Sequence, residues 1–273
     1  MQFKCLSFCN RMFSHNTLII GETARGGRQL SAQIIMVASG KGGTGKSTVS
    51  VLLGSRLAAA DKKVLLIELD SGLRSVDIIS GVNGKTVYDI SDVLSGRCDW
   101  HKAIAESPIY EGLSVISAPY ERGDVKPQEL KRLIQKLANH YDFILVDTAA
   151  GLGEPFAAAM LVSQMALLVL TPDPVALRDG HIAADVLFEG GFTNVRLVVN
   201  RVSPNTFEKG VVEDLDECID TVAVQLIGVI PDSVAILKCS AAGQPLPANT
   251  VAYRAFDNLA RRILGEDVLL AVR

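Results

Sequence analysis

From residue 33 onward the chain alternates short aliphatic runs with longer segments whose apolar positions recur three and four residues apart. The runs at 34–39, 64–70, 113–117, 143–147, 166–171, 196–200 and 226–230 predict strands, and their near-continuous hydrophobicity suits strands covered on both faces. Helices are predicted over 46–60, 87–94, 127–140, 176–189, 207–218 and 251–264. In the third of these, Leu130, Leu133, Ile134 and Leu137 form one stripe behind Pro127, a residue suited to a first helical position. Strands alternating with helices make βαβ units with right-handed crossovers. The prediction is therefore an α/β fold: a single doubly wound domain over residues 33–266, its mostly parallel sheet flanked by helices.

The ends read differently. In residues 1–32 Gly, Ser, Asn and Arg interrupt the apolar positions without a period, and a poorly ordered N-terminal extension is expected. Lys4, Arg11, Arg25 and Arg28 against the single acid Glu22 give it the basic bias of a transit peptide, although an extension without a structural role is the preferred reading. Residues 267–273 are read as a short C-terminal tail.

Composition removes several function classes. With 48% hydrophobic and 21% charged residues, the 273-residue chain can bury a large core, which excludes a disulfide-stapled miniprotein or a disordered tail as its main identity. A formal net charge of −3 supplies no general field for coating nucleic acid and argues against DNA as a partner. Cys5, Cys9, Cys98, Cys218 and Cys239 are scattered and include no C-x-x-C pair, so neither a disulfide framework nor a zinc or iron–sulfur ligand set is indicated; reduced, cytosolic thiols are expected. No apolar run approaches the roughly 20 residues of a membrane-spanning helix.

The chemistry concentrates in Gly40-Lys41-Gly42-Gly43-Thr44-Gly45-Lys46-Ser47-Thr48, which fits G-x-x-x-x-G-K-[ST] and lies between a predicted strand and a predicted helix. Glycines permit backbone torsions that turn successive N–H groups inward around a phosphate, at the positive end of the following helix. Lys46 would reach the β- and γ-phosphates, and the Ser47 hydroxyl would ligate Mg²⁺. Two aliphatic runs end in carboxylates beside this loop in the predicted sheet: Asp70 and Asp147, the latter read as the metal-holding acid. The small residues Ala149, Ala150, Gly151 and Gly153 that follow suit a switch sensitive to the γ-phosphate.

Lys41 is not required by a generic phosphate loop. With it, the loop resembles the deviant Walker A sequence K-G-G-x-G-K-[ST] of the MinD/ParA family of ATPases. Asp147-Thr148-Ala149-Ala150-Gly151 is similar to that family's D-x-x-A-G segment, and the stretch from Glu68 through Asp70, Gly72, Leu73 and Arg74 to Asp77 resembles D-x-D-x-G-L-R-x-x-D of its MinD branch, with Glu68 in place of the first Asp. The resemblance covers about residues 33–266. It implies a P-loop NTPase of the SIMIBI-like class with ATP and Mg²⁺ as cofactors, Lys41 acting across a homodimer on the partner's nucleotide, and Asp70 as a metal-site residue that also orients the hydrolytic water. It also implies adenine contacts at Asn200, Arg201 and Pro231, and a partner-facing helix opened by Thr171-Pro172-Asp173-Pro174, on which Arg178 and Asp179 are interaction candidates. No guanine-reading N-K-x-D is present.

The function implied is an ATP-driven dimerising switch in division-site placement, within the cytoplasm or peripheral at the inner face of the membrane. Flagellar placement and ParA-type partition remain alternatives, followed by an iron–sulfur carrier ATPase and a nucleotide-binding module that does not hydrolyse, the last motivated by Glu68. Proteins of the MinD branch usually end in a basic amphipathic helix beyond the last core helix. Here Phe256, Leu259, Ile263 and Leu264 read as core packing, and no clear C-terminal amphipathic anchor is recognised.

Overall fold

The computed structural model describes residues 32–270 apart from 73, 122–124, 204 and 209–210. The predicted N-terminal extension lies outside the described residues, except for Ala32, as do the last three residues of the tail. Eight strands form one sheet in the order β3-β4-β2-β5-β1-β6-β7-β8. They are β1 (Gln33–Ala38), β2 (Val64–Glu68), β3 (Ile104–Glu106), β4 (Leu113–Ile116), β5 (Phe143–Asp147), β6 (Met165–Leu170), β7 (Val195–Val202) and β8 (Leu226–Pro231). Every pairing is parallel except the antiparallel edge pair β3/β4.

Alternation along the strands divides the core. Ile34, Met36 and Ala38 of β1 face α4 (Pro127–Leu137), α5 (Glu154–Val162), α6 (Pro174–Glu189) and α7 (Leu215–Val222). Ile35 and Val37 face α1 (Lys46–Ala58), α2 (Ser75–Ser80), α8 (Val234–Ala242) and α9 (Val251–Ile263). Because both faces are covered, the strands are apolar at successive positions. The short helix α3 (Ile90–Leu94) closes the first face beside β4: its N-cap Asp89 accepts from the Ser91 and Asp92 amides while Asp92 accepts from the Asp89 amide.

All seven predicted strands form, each within two residues of its expected bounds at either end. Two helical expectations are corrected. The helix expected over 207–218 is Leu215–Val222, because the Asp214 carboxylate accepts from the Glu217 amide at 2.8 Å and starts the helix there. The helix expected over 87–94 begins at Ile90, behind the Asp89 cap. The pattern has no signal for β3 or α2, which have three and six residues, or for α5 and α8, whose apolar residues form no single stripe. The described part of the tail is tied down: Arg262 donates to the carbonyls of Val268 at 2.9 Å and Leu269 at 2.7 Å, and Leu270 packs against the core. Among the described residues no helix is long and apolar enough to cross a membrane.

Candidate functional site

β1 is flanked by β5 and β6, so the loop that leaves it opens at the carboxyl edge of the sheet where chain direction divides. Backbone constraints explain its glycines. Gly43 (φ 80) and Gly45 (φ 91) occupy the left-handed region, and Gly45 caps α1 in that conformation. A methyl group on Gly45 would overlap the Asn200 amide, and one on Gly40 would overlap the backbone of Asp179 in α6. The P-loop is thus seated against both β7 and α6.

The first helical turn brings the predicted chemistry together. Lys46 is buried, and Ser47 donates to Asp147 Oδ2 at 2.6 Å. Ser50, one turn further along α1, donates to Asp147 Oδ1 at 2.9 Å. Burial pushes the Asp147 carboxyl up to about 6, a rise restrained by Lys46 and the two serine hydroxyls. Asp70 lies close enough for its charge to act on Asp147, and the Leu69 amide just before it donates to the Asp147 carbonyl at 2.8 Å. Glu68 sits opposite Asp147 in the β2/β5 register and is fully buried; burial, then the Asp147 charge, raises it from 4.5 to about 8. Its carboxylate accepts long bonds from the amides of Val76 at 3.3 Å and Ala118 at 3.4 Å.

Four sequence-predicted residues occupy positions with definite consequences. Lys41 Nζ lies 3.2 Å from Asp173 Oδ1 in the same chain, both side chains half-exposed. Asp173 also caps α6 through the Ala176 amide at 3.0 Å and accepts from the Thr171 hydroxyl at 2.6 Å; burial raises its carboxyl, but these bonds outweigh it and hold it below its ordinary value. Asn200 is buried, and its Nδ2 donates to the Thr44 carbonyl at 2.8 Å, so the amide nitrogen expected at a base supports the P-loop. Arg201 follows in a left-handed conformation (φ 60) with an exposed side chain, and Pro231 pairs with Val202 on β8. Both stand at the sheet edge that carries the P-loop.

Residues 35–246 match the model of the CobQ/CobB/MinD/ParA nucleotide binding domain. The chain belongs to the MinD/ParA family. It is 34% identical to the septum site-determining protein MinD of Bacillus subtilis over 249 residues, which cover 88% of this chain and 92% of that protein. MinD from the MinC:MinD cell division protein complex of Aquifex aeolicus superposes with a TM-score of 0.82 at 31% identity, covering 88% of this chain and 99% of the other. The Pyrococcus horikoshii MinD complexed with Mg-ADP gives a TM-score of 0.76 at 27% identity, covering 87% and 100%.

Within this MinD/ParA frame the chain offers a fit to a nucleotide and its metal that rests on its own atoms. The Thr44 hydroxyl is buried in the P-loop with no partner, a polar group that calls for one. Among the described residues no three His, Cys, Asp or Glu side chains converge as a metal cage, whereas Ser47, Asp147 and Asp70 supply the few oxygen groups that suit Mg²⁺ shared with phosphates and water. Ser50 and Asp173 belong to the site although no motif of the chain points to them. Ser50 carries a helical-spacing signal, standing three residues after Ser47, but its partner lies 97 residues away.

Proposed function

We propose that this chain is a Mg²⁺-dependent ATPase switch of the MinD type, acting in placement of the division site. The observation that carries the reading is a second lysine in the P-loop, Lys41, held in cis on Asp173, in a chain whose MinD relatives align along nearly their whole length. In this reading the P-loop amides and Lys46 bind the phosphates, while Ser47, Asp147 and Asp70 hold Mg²⁺, which supplies charge neutralisation at the phosphates when bound. Asp70 orients the attacking water. Asn200 fixes the P-loop from below, and Arg201 and Pro231 border the adenine.

ATP binding draws Lys41 off Asp173 and across to the nucleotide of a second copy, giving a homodimer that hydrolysis dissolves. Lys41 contacts the cap of α6, and Gly40 contacts its backbone, so the same event reaches the helix that exposes Val175, Arg178 and Ile182. That surface is assigned to a regulatory partner, as a MinC accompanies the Aquifex relative. The domain so defined spans 33–266, and the protein works in the cytoplasm or peripherally at the membrane. Sedimentation with ADP and with a nonhydrolysable ATP analogue tests this: the analogue dimerises the wild type, and Lys41→Ala weakens the dimer. A wild type that stays monomeric with the analogue contradicts the trans role of Lys41.

A further inference from the structure

The R-x-x-D half of the motif that follows Asp70 has no assigned task, yet it forms a buried network. Arg74 is a non-glycine residue at φ 47, a left-handed conformation that costs energy unless its surroundings hold it. Three contacts do so. Arg74 Nε donates to Asp77 Oδ2 at 2.7 Å, with both side chains buried. Ser117 Oγ, beyond the end of β4, donates to Asp77 Oδ1 at 2.5 Å. The Tyr120 ring covers the Arg74 guanidinium at 4.2 Å while remaining 64% exposed itself.

Those contacts bear on Asp70 because of where the backbone is pinned. The turn after β2 is fixed on the strand side by the Leu69 amide on Asp147, and at its tip by the Gly72 amide on the Pro119 carbonyl at 3.0 Å. On its helix side it is fixed by Arg74 and Asp77, and the Glu68 carboxylate joins the Val76 and Ala118 amides across the same gap. Asp70 therefore sits on a short turn clamped between the ends of β2, β4 and α2. A buried ion pair contributes little net stability when compared with apolar packing, so holding a geometry is the better account of its presence here.

We infer that Asp77, with Arg74, Ser117 and Tyr120, is a positioning group that sets Asp70 for the hydrolytic step. The inference rests on the ATPase reading above and names residues that touch neither nucleotide nor metal. The experiment measures steady-state ATP hydrolysis, ADP affinity without Mg²⁺ and melting temperature for the wild type, Asp77→Asn, Ser117→Ala, Ser117→Thr and Tyr120→Ala. Expected are a fall in kcat of about tenfold for Asp77→Asn, smaller falls for Ser117→Ala and Tyr120→Ala, and recovery in Ser117→Thr, which restores the hydroxyl. ADP affinity, which draws on the P-loop, stays within about twofold of the wild type. Tyr120→Ala removes an exposed ring and keeps the test open if Asp77→Asn does not fold. Wild-type kcat in the folded variants, or a kcat loss matched by an equal loss of ADP affinity, overturns the positioning role while leaving the ATPase reading intact. A wild type without any hydrolysis overturns both.

Discussion

At the scale of single residues, the site is governed by two buried carboxyls with different support. Asp147 receives two hydroxyl donors, and removing one leaves a buried acceptor unpaired. Ser50→Ala is expected to cost about 1–3 kcal/mol in stability and to weaken Mg²⁺-dependent ATP binding about tenfold while leaving Mg²⁺-free ADP binding unchanged. Calorimetric titrations with and without Mg²⁺ check this, and unchanged affinity in both would reduce Ser50 to a packing residue. Among the described residues Glu68 accepts two long amide bonds, and burial raises it to about 8. Between its unfolded value near 4.5 and about 8 the native protein keeps a proton that the unfolded chain has released, so stability falls as pH rises through this window. One proton of difference gives a slope of about 1.4 kcal/mol per pH unit. From pH 7, above the Asp147 value, to pH 8 the metal-free protein should lose about 1 kcal/mol. Urea unfolding in chelator at both pH values reads the slope, and Glu68→Gln should flatten it; an identical slope in that variant assigns the effect elsewhere.

At the scale of elements, α6 and the P-loop form one mechanical unit. Asp173 caps α6 and pairs with Lys41, two roles that substitutions separate. Asp173→Asn preserves a capping oxygen and should leave stability nearly unchanged, whereas Asp173→Ala should cost about 1 kcal/mol, as thermal or urea unfolding would show. The half-exposed ion pair itself is worth about 0–1 kcal/mol, weak enough for Lys41 to leave when a phosphate offers more charge. Both substitutions should therefore ease analogue-driven dimerisation, measured as a lower protein concentration at half-dimer in sedimentation. How much of this was legible in the chain follows from the same physics. Strands buried on both faces announce themselves by aliphatic runs, and Gly40 to Thr48 by a motif whose atoms are consecutive. The short edge strand β3 and the two-turn α2 carry too few residues for a period, and the apolar residues of α5 and α8 form no single stripe. The place of Asn200 in the chain predicts a base contact, and only tertiary structure shows that its amide nitrogen also meets Thr44, 156 residues away.

For the whole molecule, nucleotide binding and dimerisation are separable states with different readouts. A ligand that binds only the native protein stabilises it by RT ln(1 + [L]/Kd), about 2.7 kcal/mol at one hundred times Kd. For a domain of this size, that shift corresponds to roughly 5–10 °C in melting temperature. Lys46 is buried within the P-loop turn of the same chain, so Lys46→Ala should abolish the shift that Mg²⁺ and the ATP analogue produce. Lys41 is half-exposed and engaged on Asp173, so Lys41→Ala should retain most of the shift at protein concentrations where the wild type is still monomeric. Raising the concentration should then add stabilisation to the wild type alone, because dimer formation is coupled to the same equilibrium. Thermal unfolding over a hundredfold range of protein concentration makes the comparison. If Lys41→Ala gains as much from concentration as the wild type, Lys41 does not act across the dimer.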